Sequence, residues 1–293
     1  GAGEGNPRNS QSAGNGLYKS NDGGQSWIHL GLENSRNSHR IILHPDNPDV
    51  ALIGVQGPAW GETEERGVYR TTDGGKTLEK VLYVNERTGI GDMVVDPKNP
   101  NHILAAMWEF RRWPWFFKSG GEGSGLYETW DGGVTWEEIG PDRGMPKGEL
   151  GRMGLAFAHN EPQVVYALVE AKKNALYRSD DGGTNWRMVN DDDGVNGRPF
   201  YYADIYTDPE NENRLYKIET YIYVSEDGGR SFRQWQPGYS ENGVHPDHHA
   251  FWVSPADPDF IIEGNDGGMA ITRDKGRTWR FVENLPVAQF YHI

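Results

Sequence analysis

Ser179-Asp180-Asp181-Gly182-Gly183-Thr184-Asn185-Trp186 decides how the rest of the sequence is read, because near-copies of it recur along the whole chain. They stand at residues 20–27, 71–78, 129–136, 225–232 and 272–279, and six copies mark a repeat protein. Each carries a Ser or Thr, an Asp two residues on, a Gly two residues further, then a hydroxyl or amide and an aromatic, replaced once by Leu78. Asp22, Asp73, Asp131, Asp181, Asp227 and Asp274 are expected to accept backbone N–H bonds across a tight turn. Gly24, Gly75, Gly133, Gly183, Gly229 and Gly276 are expected to supply positive φ there.

Working outward, a short alternating run precedes each turn, as in Gly16-Leu17-Tyr18-Lys19 and Gly67-Val68-Tyr69-Arg70, and a run such as Trp186-Arg187-Met188-Val189 follows it. Each copy therefore reads as a hairpin of two antiparallel strands whose aromatic packs into the core. The pattern resembles the Asp box, or bacterial neuraminidase repeat, of β-propellers. That superfamily includes sialidases, xyloglucan-cleaving glycosidases, sortilin ectodomains and a photosystem II assembly factor. The resemblance implies an all-β propeller of four-stranded antiparallel blades. It leaves activity open, since enzymes and pure binding proteins share the motif.

A second repeat completes the blade. His44-Pro45-Asp46-Asn47-Pro48, Asp96-Pro97-Lys98-Asn99-Pro100, Asp208-Pro209-Glu210-Asn211 and Ser254-Pro255-Ala256-Asp257-Pro258 mark where a first strand ends, because Pro cannot donate to a ladder; Ala158-His159-Asn160-Glu161-Pro162 is a degenerate copy. A single domain over residues 1–293 follows, with five full blades at 38–87, 88–147, 148–195, 196–243 and 244–287. Residues 1–37 read as a partial blade and 288–293 as the start of another, from which a longer parent chain is expected; the alternative is that 288–293 closes the ring by pairing with residues 1–5. Pieces such as Gly3-Glu4-Gly5-Asn6-Pro7-Arg8-Asn9, Trp60-Gly61-Glu62 and Gln289-Phe290-Tyr291 resemble large secreted bacterial proteins labelled glycosyl-hydrolase-like. This resemblance implies an exported protein, whether secreted, periplasmic or on the cell surface.

Composition bounds the function classes. A formal charge of −14 argues against a nucleic-acid partner, which needs clustered Lys and Arg, and the absence of Cys excludes disulfides and thiolate chemistry. No run approaches the roughly 20 apolar residues of a membrane-spanning helix. No cofactor or metal motif is complete: Asp191-Asp192-Asp193-Gly194 departs from the calcium-loop template, and Gly75-Lys76-Thr77 belongs to an Asp box, not to a phosphate loop.

In up-and-down blades the Pro turns and Asp boxes share one face, so all insertions, including 4–15, 56–66, 109–124, 141–150, 190–201 and 236–247, fall on the other. Function is expected on that loop-rich face. Registering the first strands from the Pro turns aligns an alternate, mostly polar set, in which Ile90 also falls. Arg40, Asp92, Arg152, Tyr202, Asp204 and His248 become candidates to line the central channel, either as ligand contacts or as polar residues that satisfy one another. His245-Pro246-Asp247-His248-His249 concentrates imidazoles, but a strand turns His248 and His249 to opposite sides. Trp60, Trp113 and Trp115 are candidates for sugar stacking or a protein contact, in a run of aromatics with Arg that otherwise tucks beneath a loop. The expected function is a non-catalytic binding or assembly propeller for a protein or polysaccharide. The alternative is a glycoside hydrolase resembling the xyloglucan-cleaving enzymes, for which Asp92, Asp204, Asp247, Glu62, Glu64 and Glu4 are available but no spacing fixes a catalytic pair.

Overall fold

The computed structural model describes residues 1–7, 11–235 and 244–285. Expectations for residues 236–243 and for Gln289-Phe290-Tyr291 lie outside these. The chain is an all-β propeller of four-stranded antiparallel blades, five of them, after a two-stranded half-blade of β1 (Leu17–Lys19) and β2 (Ile28–Gly31). The first blade is β3 (Arg40–His44), β4 (Asn47–Val55), β5 (Gly67–Thr71) and β6 (Glu79–Leu82). The second contains β7 (Thr88–Asp96), β8 (Asn99–Trp113), β9 (Phe116–Ser119), β10 (Gly125–Thr129) and β11 (Glu137–Ile139), where β9 pairs with β8 off the blade. The third is β12 (Met153–Phe157), β13 (Val165–Val169), β14 (Ala175–Ser179) and β15 (Arg187–Asn190). Then follow β16 (Asp204–Asp208), β17 (Asn211–Ile218), β18 (Ile222–Ser225) and β19 (Arg233–Gln234), and lastly β20 (His248–Ser254), β21 (Asp257–Asn265), β22 (Gly268–Thr272) and β23 (Arg280–Phe281). Two compact units result, Gly1–Ile205 and Tyr206–Ile293.

The Asp-box turns form as their chemistry requires. Ser179 Oγ donates to Asp181 Oδ1 at 2.8 Å and accepts the Gly183 N–H at 2.8 Å. Asp181 in turn accepts the Asn185 N–H and its side-chain amide, each at 2.8 Å. The other five copies repeat this closed circuit, with a hydroxyl in place of the amide. The second glycine of every box has φ between 80 and 95°, a left-handed conformation in which a side chain would be strained. Within each blade the turn also bonds to the Pro turn: Gly74, Gly132, Gly182, Gly228 and Lys275 donate backbone N–H groups to the carbonyls of Asp49, Asn101, Gln163, Asn213 and Asp259. The two short connections thus share a face.

Acid should undo these turns. Hydrogen bonds from the Ser26 hydroxyl and N–H hold the Asp22 carboxyl at about 2, those from the Thr77 N–H and hydroxyl hold Asp73 at about 2, and those from Thr278 hold Asp274 at about 2. At Asp181 and Asp227 burial opposes the shift, and bonds from Asn185 and Ser231 outweigh it. Because these folded-state values lie below the ordinary 3.8, the stabilisation is present above that pH and lost as pH falls toward 2. Denaturant midpoints measured through this window should drop steeply. A chain with Asp22, Asp73 and Asp274 changed to Asn should start lower and show a shallower slope.

The aromatics of the boxes divide. Trp186 is buried, and its indole N–H donates to Gly183 O at 2.8 Å. Trp136 and Trp279 pack partly buried against cores of their own units. Trp27, expected in the core, is 62% exposed; among the described residues β1 and β2 pair only with each other, and no further strand covers that ring. Residues 109–124, expected as a loop, are instead mostly strand. β8 leaves its partner β7 at the Thr88↔Glu109 pair and continues as a two-stranded hairpin with β9, from Phe110↔Ser119 to Trp113↔Phe116. Paired aromatic positions such as Trp113↔Phe116 overrode the Gly-rich flank.

In the first unit the core lies between neighbouring blades, where Met93, Ile103 and Ala105 meet Leu52 and Val68, and Leu104 and Ala106 meet Met153 and Leu155. In the second, Tyr216, Ile218 and Val224 pack with Phe251, Val253 and Ile261. No helix among the described residues is long and apolar enough to cross a membrane.

Candidate functional site

First strands of successive blades place the polar candidates. Gly91 is an extra residue in β7, opposite no partner, since Ile90 pairs with Met107 and Asp92 with Ala106. This bulge turns Ile90, which the two-residue count put on the polar side, into the core beside Met93, and keeps Asp92 on the other face. Gly154 lets β12 press against the chain entering β16: a Cβ there would stand 1.5 Å from Ala203 O. Arg40, Asp92, Arg152 and Asp204 are gathered by these approaches.

Arg40 joins both acids, with Nε 2.7 Å from Asp92 Oδ1 and Nη2 2.8 Å from Asp204 Oδ1. Asp92 also accepts the Leu155 N–H at 2.9 Å and the Met93 N–H at 2.8 Å. Asp92 and Asp204 are buried, and Arg40 is the partly exposed member. Arg152 is fully buried and donates to Asn6 Oδ1 at 2.8 Å and to the carbonyls of Phe200 and Tyr201 at 3.2 and 3.4 Å. Burial lowers its pKa, and the Asp204 carboxylate opposes that shift. Tyr202 is buried, its ring 4.5 Å from that of Tyr201 and 5.7 Å from the Arg198 guanidinium.

His248 belongs to the second unit. Its Nδ1 stands 2.7 Å from Glu263 Oε2 with both groups buried, and its N–H donates to Glu219 O. His249 faces the other way, to Asp266 Oδ1 at 3.0 Å. The cluster at residues 245–249 is thus split between separate acids. Among the described residues no three His, Asp or Glu side chains gather as a metal site.

The tryptophan candidates stand around one hairpin. Trp60 is 44% exposed on the segment 56–66, and Arg112 N–H donates to Ala59 O at 2.8 Å, tying that segment to β8. Trp113 is half-buried with its ring 6.1 Å from Phe116, while Trp115 at the turn is 83% exposed. Beneath them Trp108 stacks on Phe110 at 4.2 Å, and Phe117 and Phe200 close the cluster.

Three residues not among the candidates organise this region. Arg66 is fully buried and donates to Gln56 O and Pro58 O, both at 2.6 Å, and to Gly61 O at 3.1 Å, with its guanidinium 4.6 Å from the Phe110 ring. Glu109 is buried and accepts the Gly123 N–H at 3.0 Å, flanked by Lys118 at 3.4 Å and Arg87 at 3.7 Å. Glu170 accepts from Ser119 Oγ at 2.5 Å and from the Arg152 N–H at 2.8 Å; burial raises its pKa. No local motif announces Arg66 or Glu170. Glu109 lay within the aromatic run and was legible there only by type.

The arrangement offers rings and paired charges. The Sortilin-Vps10 profile, described as sortilin, neurotensin receptor 3, matches residues 15–170, more than half of the chain. The chain belongs to the Sortilin-Vps10 family. This Sortilin-Vps10 chain is also 27% identical over 206 residues to a xyloglucanase of Paenibacillus sp., a match that covers 59% of the chain and 19% of that enzyme. Among solved structures, an ancestral GH74 enzyme matches with a TM-score of 0.65 at 18% identity, covering 92% of this chain and 36% of that one. The GH74 enzyme of Niastella koreensis matches with a TM-score of 0.58 at 16% identity, covering 95% and 47%. The chain therefore spans less than half the length of each of these relatives. The fold is related both to glycoside hydrolases and to the sortilin family.

Proposed function

We propose that this chain is a non-catalytic binding propeller that takes a protein or glycan on its loop-rich face, around Trp60, Trp113, Trp115 and Arg40. The reading rests on how the neighbouring carboxyls are used. Asp92 and Asp204 share the Arg40 guanidinium, Glu109 is held by a backbone N–H and two cations, and Glu170 by Ser119 and the Arg152 N–H. Glycoside hydrolysis needs one carboxyl to give a proton and a second, about 5 to 9.5 Å away, to attack or to activate water. Acids committed to internal partners serve rigidity instead, and rigid exposed rings serve recognition. An exported location belongs to the same reading.

The glycosidase alternative is favoured by the identity to a xyloglucanase. Incubating the chain with xyloglucan should release no new reducing ends, and Trp60→Ala should leave its melting temperature within a few degrees of the parent. Reducing ends that form with the parent chain and disappear with Asp92→Asn or Asp204→Asn would replace the binding reading by the catalytic one.

A further inference from the structure

The β8–β9 hairpin carries two rings of the binding reading, Trp113 and Trp115, and also has an order of rings and cations that ligand recognition does not require. Past Glu109 it pairs with no other strand of its blade, so residues 110–119 form a two-stranded projection. Its inward face carries Phe110 and Phe117, packed in the cluster with Trp108. Alternation sends Arg111, Trp113, Phe116 and Lys118 to the outward face, and Trp115 stands at the turn. Trp115 is 83% and Phe116 56% exposed.

The order of these side chains along the hairpin is specific. The cross-strand pair Arg111↔Lys118 lies two residues, about 7 Å, behind the pair Trp113↔Phe116. Cations thus stand at the root and bare rings at the tip. Residues 110–118 carry three cations, Arg111, Arg112 and Lys118, and no acid, in a chain of formal charge −14. Glu109, the nearest acid in sequence, is buried and shared by Lys118 and Arg87.

We propose that this hairpin is a peripheral membrane contact, its rings entering the boundary of a bilayer and its cations meeting anionic headgroup phosphates. A bilayer presents charge first and hydrocarbon beneath, the same sequence that the hairpin presents from root to tip. Indole rings favour that boundary because the ring is apolar and its N–H finds a polar partner. Lys and Arg reach back to headgroups from apolar stems, and each adds to the attraction of an anionic surface. A sugar ring can also stack on Trp113 or Trp115, but it would leave the graded placement of the cations unused. The acidic remainder of the chain repels an anionic surface at long range, so the contact is local and shallow. This inference shares Trp113 and Trp115 with the binding reading above and differs from it in needing Phe116 and the cations Arg111 and Lys118, so vesicle binding and glycan binding are measured separately.

Co-sedimentation of the chain with phosphatidylglycerol-containing vesicles, and with vesicles of phosphatidylcholine alone, tests it. The chain should sediment with both and more strongly with the first. Trp115→Ser combined with Phe116→Ser should weaken binding to the anionic vesicles about tenfold or more. Arg111→Gln with Lys118→Gln should remove the preference between the two compositions. Trp27→Ser, which removes an exposed indole far along the sequence, should change neither. An unaltered circular dichroism spectrum and melting temperature would verify folding of each variant, and Trp115→Ser alone provides a milder substitution. Failure of the parent chain to sediment would overturn the proposal, as would equal sedimentation of the ring variants.

Discussion

Replacing Arg40 by methionine should cost about 3–5 kcal/mol of folding stability, because one guanidinium neutralises two buried acids. Asp92 and Asp204 each keep one short contact to it, at 2.7 and 2.8 Å, and both are within a few per cent of full burial. Without Arg40 two carboxylates face one another in a poorly solvated site, with the buried Arg152 as the remaining nearby cation. Removing one partner of a buried ion pair is harsher than removing the pair, so Arg40→Met with Asp92→Asn and Asp204→Asn should recover a large part of the loss. Denaturant titration at neutral pH of the single and triple variants measures both quantities. A triple variant less stable than the single one would show that Asp92 matters chiefly through the Leu155 and Met93 N–H bonds it accepts.

Arg66→Met should have a comparable effect, about 3–5 kcal/mol, by another route. The lost group is a buried donor serving three backbone carbonyls, those of Gln56, Pro58 and Gly61. Stranding each buried acceptor costs on the order of 1 kcal/mol or more, and the stacking against Phe110 at 4.6 Å goes with it. A methionine fills the space without donating, and a lysine donates from a single nitrogen, which cannot span three diverging carbonyls as the guanidinium fork does. Native-state hydrogen exchange should show the effect first in residues 56–66 and in the Arg112 amide that bonds Ala59 O. Protection unchanged there, with global stability reduced, would place the role of Arg66 in the core beneath and not in the segment that carries Trp60.

The two variants illustrate different degrees of legibility. Arg40, Asp92, Arg152 and Asp204 fall together in a count by twos from the Pro turns, because a strand sends alternate residues to the same face. The count went wrong at Ile90, one residue before the Gly91 bulge, since an inserted residue reverses every side chain on one side of it. Arg66 left no trace in a count, because its partners are backbone carbonyls of an irregular segment, and any residue type presents a carbonyl. Glu170 was hidden for a related reason: its partners Ser119 and Arg152 lie 51 and 18 residues away.

What the sequence by itself determined is everything carried by interactions a few residues long. Ser179, Asp181, Gly183 and Asn185 close their circuit of hydrogen bonds within one turn, and the five other copies do the same, so turn, hairpin and blade number were all present in the repeat. Tertiary structure alone decided what the repeats hold between them. It set the contact of Arg40 with an Asp 164 residues further on, the exposure of Trp27, the continuation of β8 into a hairpin, and the grading of its rings and cations from tip to root. The physical reason is range. A turn's bonds are set by neighbouring residues, whereas burial and ion pairing are set by whichever strand the fold brings alongside, and no spacing in the chain records that.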